Sequence, residues 1–431
     1  MEPRISADRP QLAIVAALGL GQMLSFASSF YLLGVLGEGA AHDLHARPAL
    51  ISSLLSVALL ASALSAPAIG RWIDARGGKV VLMSASLTFA TGLTLIALSP
   101  SVPVLAAGVL VLGVGMALGL YETPFAILVS LYGQEARRPM AGVAMLGGLG
   151  STLGWPTTLF LEHALGWRGA CLIWASVHLL VCLPLTLLVV PHVGARRRAE
   201  DGPRPKIRWD RPMAQMAALF AGAWMISAYI SAHLPRLLQG FGLTPAAAVG
   251  AASLLGVAAV SMRLAEYTVL RKLPPVLTTR LATLLHPLGA ASLLILGGVA
   301  APAFALAQGG GNGMLTVAKG ALPLSLYGPE NYAYRSALLA TPARFAQVAG
   351  PVAFGLILDR SASLAVIASA AVCLCMFAMT FGLSRRAQDR RETPLPRPAP
   401  RPQRPAETHH SYAVYSGAQT LKEHKSSRRL S

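Results

Sequence analysis

Residues 103–130 read PVLAAGVLVLGVGMALGLYETPFAILVS, an apolar run in which Glu122 is the one charged residue. An α-helix rises about 1.5 Å per residue, so roughly 20 apolar residues span the roughly 30 Å hydrocarbon core of a bilayer. The run is longer than this, and it does not alternate apolar and polar residues as membrane barrel strands do. It is therefore predicted to be a membrane-spanning helix.

Comparable runs recur along the whole chain of 431 residues, 54% of which are hydrophobic and 13% charged. This composition excludes an ordinary soluble protein. The predicted helices lie at residues 11–36, 48–70, 80–99, 103–130, 139–161, 170–190, 212–238, 246–266, 281–299, 302–326, 338–358 and 363–383. The predicted fold is all-α, a polytopic membrane protein with twelve transmembrane helices in two pseudo-symmetric six-helix bundles.

Breaks in the apolar pattern divide the chain into four parts. Residues 1–190 are predicted to form the N-terminal six-helix bundle and residues 212–383 the C-terminal one. Residues 191–211 are rich in arginine and are predicted to be a cytoplasmic linker. Residues 384–431, rich in Arg, Pro, Ser and Gln, lack the apolar content for a core and are predicted to be a disordered basic cytoplasmic tail.

The net charge of +18 is concentrated between particular helices. Cytoplasmic loops of membrane proteins retain Lys and Arg. If both termini are inside, only a few of the 36 Lys and Arg residues fall on the outer side, namely Arg47, Arg168, Arg236 and Arg360. We therefore expect a multi-pass protein of the inner (plasma) membrane with both termini cytoplasmic. Attraction to anionic lipid accounts for the basic charge, so no nucleic-acid partner is expected.

An internal repeat supports the division into halves. Residues 130–135, SLYGQE, recur as SLYGPE at residues 325–330. The charged residues Arg71, Asp74 and Lys79 of the first half correspond, at the same spacing, to Arg263, Glu266 and Arg271 of the second. Matches in the same order along both halves favour a duplicated bundle.

The loop after the second predicted helix reads GRWIDARGGK over residues 70–79. It resembles the signature loop of the major facilitator superfamily, Gly-x-x-x-Asp-(Arg/Lys)-x-Gly-x-(Arg/Lys)-(Arg/Lys). The loop departs from that pattern at Ala75, where the family has a basic residue, and Arg76 follows one place late. The resemblance covers about residues 11–383 and implies a secondary transporter of two six-helix repeats.

The same loop is predicted to form a charged gate at the cytoplasmic mouth. Asp74 is expected to pair with arginines and to cap a helix N-terminus, so that one conformation is latched. The alternative is a set of solvated loop charges. The predicted gate consists of Gly70, Arg71, Asp74 and Lys79, with Arg263 and Glu266 from the second half.

The family resemblance implies that the first, fourth, seventh and tenth helices line a central cavity. Candidate lining residues are Gln22, Ser227, Tyr229 and Asn312, although each could instead bond within its own helix. The run GGGNG at 309–313 predicts a broken or flexible tenth helix beside the substrate, with close helix packing as the alternative.

Two charged residues, Glu122 and Lys319, fall inside predicted cavity helices at similar depth. Intramembrane charge is costly and indicates function. We expect the two to form an ionic centre that Arg344 joins, in which Lys319 holds an anion and Glu122 takes a proton. The alternatives are a static pair that joins the halves, or Lys319 extended to the inner surface.

These features predict a secondary transporter that moves a small solute by alternating access. We expect coupling to protons or a counter-substrate, a small organic anion as substrate, and a monomer in the bilayer. The alternatives are an exporter of drugs or metalloids and a non-transporting membrane receptor. The sequence lacks the phosphate-binding, nucleophile-elbow and zinc-helix motifs, so no enzyme is expected. Its four cysteines lie in apolar runs, and no metal or cofactor is predicted.

Overall fold

The computed structural model describes residues 11–192, 207 and 209–392, and the regular structure of these residues is helical. The α-helices are α1 Gln11–Ala27, α2 Leu32–Asp43, α3 Pro48–Arg76, α4 Gly78–Ala97, α5 Val102–Gly119, α6 Glu122–Tyr132, α7 Arg137–Gly147, α8 Gly150–Val177, α9 Leu183–Val189, α10 Arg211–Gln239, α11 Pro245–Thr268, α12 Pro275–Leu296, α13 Ala301–Tyr327, α14 Tyr332–Arg360 and α15 Ala362–Glu392. Below, α1–α9 are called the first half and α10–α15 the second half.

Eight helical stretches of the described residues are long and apolar enough to cross a membrane. Two of them, Val102–Val189 and Pro275–Tyr327, contain 88 and 53 residues. Each of these is more than twice the roughly 20 residues that one crossing needs, so each holds more than one crossing. Over its described residues, the chain therefore has the helices of a multi-pass membrane protein.

The predicted helix at 103–130 is not continuous, because α5 ends and α6 begins at Leu120–Tyr121. Pro124 explains the break. It has no N–H for the carbonyl of Leu120 four residues earlier, and its ring would clash with that carbonyl. The chain makes a tighter turn instead, in which the Thr123 N–H bonds the Leu120 carbonyl at 3.1 Å. Glu122 therefore stands at the start of a new helix.

Two further predicted helices are also divided. The helix at 11–36 breaks between α1 and α2, where the Ser28 and Ser29 hydroxyls donate to carbonyls one turn back at 2.8 and 2.5 Å. Such side-chain bonds compete with helical backbone bonding. The helix at 139–161 breaks between α7 and α8, next to the adjacent residues Gly147 and Gly148. Glycine weakens a helix because it retains the most backbone freedom when unfolded.

The tenth helix was expected to be broken or flexible. The predicted break is wrong, because α13 runs unbroken through residues 309–313, and its flexibility stays a prediction. Its glycines allow close packing. A Cβ added to Gly313 would lie 3.0 Å from the Ala259 Cα, and one added to Gly309 would lie 2.9 Å from the Leu255 Cα, both on α11. Small residues let helix backbones approach in this way. Thus α13 is a continuous scaffold packed on α11.

Buried apolar residues form two clusters, one drawn almost entirely from the first half and one from the second. The helices nevertheless belong to one compact unit that ends at Glu392. Helix α15 continues past the predicted end at residue 383. Most of the predicted linker, at 193–206 and 208, and residues 393–431 of the predicted tail lie outside the described residues.

Candidate functional site

A buried cluster of three charged side chains lies where the two halves meet. Glu122, the first residue of α6, forms an ion pair with Lys319 of α13. Its second carboxylate oxygen lies 3.2 Å from a guanidinium nitrogen of Arg344 on α14. The exposed fractions of the Glu122, Lys319 and Arg344 side chains are 5%, 14% and 8%. These three residues are called the ionic centre below.

The two cations of the ionic centre have further partners that fix their positions. Arg344 also donates to the Ser62 carbonyl of α3 at 3.1 Å. The Lys319 ammonium lies 4.8 Å from the ring centroid of Trp224 on α10, within the range of a cation–π contact. Helices of both halves therefore converge on one carboxylate.

The ionic centre has a net charge of +1, because two cations share one carboxylate. An unbalanced buried charge costs free energy, and removal of one partner from a buried ion pair strongly destabilises the folded protein. Guanidinium and ammonium groups form their strongest hydrogen bonds with anionic oxygens. The centre can therefore accept an anion, either beside Glu122 or in its place.

Arg263 is also buried, with 8% of its surface exposed. It precedes Glu266 by three residues on α11, so it lies about 4.5 Å deeper along that helix. Its guanidinium donates to the Thr316 hydroxyl of α13 at 3.4 Å, and its Nε has no hydrogen-bond partner. Sequence reasoning placed Arg263 with the gate charges, whereas its side chain lies against Gly148 and α13.

Polar side chains of the first half also reach the glycines that separate α7 from α8. A Cβ on Gly147 would lie 2.8 Å from the Tyr121 hydroxyl, which donates to the Ala144 carbonyl at 3.4 Å. Gln22 lies beside the same glycine and donates to the Gly119 carbonyl at 2.5 Å. The predicted cavity residue Gln22 therefore bridges two helix breaks.

Over the described residues, no hydrogen bond or ion pair joins Tyr229, Asn312 or Ser227 to the ionic centre. Tyr229 is fully buried in the apolar cluster of the second half and stacks on Phe354 at 4.6 Å. Asn312 is half-buried, and its backbone carbonyl accepts a 2.8 Å bond from the Thr316 hydroxyl. Ser227, on α10, is also half-buried.

The predicted gate loop contacts the second half directly. Asp74 accepts backbone N–H bonds from Tyr334 at 2.8 Å and Ala333 at 3.3 Å, in the first turn of α14. A carboxylate is favoured there because the first N–H groups of a helix lack partners within it. Arg71 donates to the Tyr334 hydroxyl at 3.2 Å. A Cβ on Gly70 would lie 2.9 Å from the Ala333 carbonyl oxygen, so glycine permits the approach.

A second contact between the halves is an ion pair of 2.8 Å between Glu266 of α11 and Arg137, the first residue of α7. Arg137 also donates to the Thr278 hydroxyl at 3.0 Å and to the Leu273 carbonyl. The end of the bundle that carries this pair and Asp74 is called the loop end. Lys79, which was predicted to join it, donates to the Leu187 carbonyl of α9 at 2.8 Å.

Ionic contacts at the opposite end stay within one half. Asp43 accepts from Arg168 at 2.5 Å and from the Trp167 indole at 2.9 Å, all in the first half. Arg236 pairs with Asp359 at 2.6 Å, both in the second half. Over the described part of the chain, the ion pairs that join the halves are those of the ionic centre and the loop end.

Sequence reasoning missed several residues of these contacts, among them Arg137 and Trp224. Arg137 follows the repeated segment at 130–135, and that position in a polar turn was its available signal. Trp224 lies in an apolar run, where tryptophan is ordinary, so nothing in the sequence distinguished it.

Comparison with known proteins identifies related chains. A model of the Major Facilitator Superfamily matches residues 18–307. The human organic anion transporter MFSD10 (TETRAN) has a similar structure, with a TM-score of 0.66 and 17% identity over 86% of this chain and 100% of that one. The Escherichia coli fucose:proton symporter FucP has a TM-score of 0.70 and 13% identity over 87% of this chain and 99% of its own. No curated protein sequence matches this chain.

Proposed function

The chain belongs to the major facilitator superfamily and is a secondary membrane transporter, and we propose that it carries a small organic anion. The convergence of Lys319 and Arg344 on the single carboxylate of Glu122 is the observation that carries this proposal. An anionic substrate balances the extra positive charge, whereas a cationic substrate would increase it.

Proton coupling is proposed to follow from competition for the same two cations. A substrate carboxylate that takes the place of Glu122 leaves that side chain buried without its partners. A buried carboxylate without partners favours the neutral, protonated form. Anion binding and protonation of Glu122 therefore support each other, and one proton accompanies each anion.

Alternating access is proposed because the halves are joined unequally at the two ends. At the loop end, Asp74 and Glu266 each contact the other half. At the opposite end, Asp43 and Asp359 pair within their own halves. The structure thus fits a state that is closed at the loop end. Release of the loop-end contacts would allow the halves to rock about the ionic centre.

The membrane arrangement is part of the proposal. The helices are compatible with twelve crossings. This count divides Val102–Val189 into three crossings and Pro275–Tyr327 into two, and it adds α14 as a further crossing. The Lys and Arg distribution supports a cytoplasmic loop end and cytoplasmic termini, with the protein in the inner (plasma) membrane. A monomer would contain the complete ionic centre.

The direct test is uptake into liposomes that contain the purified full-length protein, with an inwardly directed pH gradient. The panel comprises organic anions, neutral sugars, organic cations and arsenite. We expect an organic anion to accumulate and the accumulation to stop when the pH gradient is collapsed. Accumulation of a sugar, cation or arsenite in place of every organic anion would contradict the proposal.

A further inference from the structure

We propose that Arg263, with the hydroxyls of Tyr121 and Thr316, forms a second anion subsite, and that the substrate therefore carries two acidic groups. This inference rests on the proposed transport of an organic anion. It adds a substrate class, the dicarboxylates and dianions of similar length, and a binding role for a residue that sequence reasoning assigned to the gate.

Among the described residues, Arg263 is a buried cation that forms no ion pair with a carboxylate. Over the described residues, its hydrogen-bond partner is the neutral Thr316 hydroxyl at 3.4 Å, and its Nε has none. Its neighbour Glu266 pairs with Arg137 instead. A guanidinium presents five N–H donors and stays charged in proteins, so most of its bonding capacity is unused here.

The surrounding backbone is shaped to hold this guanidinium. Any side chain at Gly148 would overlap the Arg263 guanidinium, so that position has to be glycine for Arg263 to lie there. The Tyr121 hydroxyl lies against the preceding residue, Gly147. A cation and a hydroxyl donor therefore face the same break between α7 and α8.

The second subsite includes Thr316, which stands one helical turn before Lys319 of the ionic centre on α13. Thr316 and Lys319 are three residues apart on the unbroken helix α13. Side chains at this spacing share a face, with Cβ atoms about 5–6 Å apart. A dicarboxylate with four to six carbons places its terminal carboxyl groups at roughly 4–6 Å, which is comparable to the spacing of these two Cβ atoms. One carboxylate would bind Lys319 and Arg344 while the other binds Arg263.

The buried charge also matches a dianion. The Arg137 and Glu266 pair is neutral by itself. The other charged groups buried in the described core are Arg344, Arg263 and Glu122. Lys319, which is 14% exposed, contacts Glu122, and the four together carry a net charge of +2. With Glu122 ionised, a dianion neutralises the set and a monoanion leaves one positive charge. With Glu122 protonated, as the proposed coupling requires, a dianion leaves one positive charge and a monoanion leaves two.

The test compares uptake of dicarboxylates with four to six carbons and of monocarboxylates of equal length in liposomes with purified full-length protein. The readout is the ratio of kcat/KM for the two classes. We expect the wild type to prefer the dicarboxylate, and Arg263→Gln to lower the preference by about tenfold or more, as for loss of a hydrogen bond to a charged group. Arg263→Lys should keep part of the preference because it keeps the charge.

Two further variants address folding and specificity. Gly148→Ala displaces the guanidinium without removing it and should lower the same ratio, so it serves if Arg263→Gln does not fold. Arg360→Gln, at an exposed arginine at the end of α14, is the matched control and should leave the ratio unchanged.

The outcomes separate this inference from the proposed function. If Arg263→Gln or Gly148→Ala slows both classes equally, Arg263 acts in gating, and the inference is wrong while anion transport stands. Equal wild-type kcat/KM for mono- and dicarboxylates would also overturn it. If no carboxylate of either class is transported, the proposed function fails as well.

Discussion

Arg344 donates from α14 to the Glu122 carboxylate across 3.2 Å, and its other amino group bonds the Ser62 carbonyl of α3 at 3.1 Å. One guanidinium of the second half is thus held by two groups of the first half. Since Glu122 also pairs with Lys319, a ligand that displaces this carboxylate changes how the halves are joined. The proposed anion binding and the proposed conformational change therefore involve the same atoms.

Glu122→Gln should abolish the pH dependence of uptake. Glutamine resembles the protonated carboxyl group, so anion binding no longer requires a proton. The substrate should still exchange across the membrane, but its accumulation against a gradient should fall to background. The variant should also unfold more easily, by about 3 kcal/mol, because two buried cations lose their counter-ion. Uptake at a series of pH values and thermal unfolding measure these effects.

Glu135→Gln is the matched control for this variant, because Glu135 is exposed and lies after the same helix. It should accumulate substrate as the wild type does. Accumulation by Glu122→Gln that still follows the pH gradient would remove the proposed proton-carrying role.

Trp224 should report binding by its fluorescence. The Lys319 ammonium lies 4.8 Å from its ring centroid, and an anion that attracts Lys319 changes this contact. Titration with a transported anion should shift or quench the emission. The signal should disappear in Trp224→Phe and persist in Trp209→Phe, because Trp209 is exposed outside the helices. A signal that survives Trp224→Phe would show that binding does not reach Lys319 as described.

The charged core shows what the sequence could and could not predict. Glu122 and Lys319 stand out because charge is rare inside apolar runs, and the structure places them in contact. Trp224, which contacts Lys319, and Arg137, which pairs with Glu266, are not charges within an apolar run and were not predicted. Arg263 was identified by its repeat position, but the depth of its side chain depends on the space beside Gly148, which only packing reveals.

The sequence likewise predicted the positions of the helices better than the breaks between them. Apolar runs predicted where most helices lie, because burial in lipid needs length and hydrophobicity alone. Their breaks depend on local chemistry, such as Pro124 after the end of α5. The glycines at 309–313 were interpreted as a break, yet neighbouring α11 fills the space beside them and α13 stays continuous.

Asp74→Asn should slow turnover without reducing membrane insertion. The neutral amide keeps an acceptor for the α14 N–H groups but loses the charge that strengthens those bonds, at a cost of about 1 kcal/mol. The state closed at the loop end should become less populated, and transport should slow by several-fold. Initial rates of purified protein in liposomes, normalised to inserted protein, measure this.

Asp359→Asn is the matched control for the loop end, because Asp359 pairs with Arg236 within one half at the opposite end. Its effect on turnover should be smaller than that of Asp74→Asn. Equal rates for Asp74→Asn and the wild type in both directions would reduce the Asp74 contact to a structural one.

The membrane orientation predicts the positions of two reporter fusions. A reporter at Gly202, in the predicted linker, should be active on the cytoplasmic side. One at Gly242, in the turn between α10 and α11, should be active on the outer side. Both reporters on one side, or Gly202 outside, would contradict the twelve-crossing arrangement.

The central claim is that Lys319 and Arg344 bind an organic anion, and calorimetric binding to purified protein tests it most directly. The ligands are a transported acid and its neutral amide, and the proteins are the wild type, Lys319→Met and Arg344→Met. We predict that the wild type binds the acid but not the amide, and that each substitution weakens binding of the acid by about tenfold or more. Equal affinity of the wild type for acid and amide, or unchanged affinity of both folded variants for the acid, would contradict the claim.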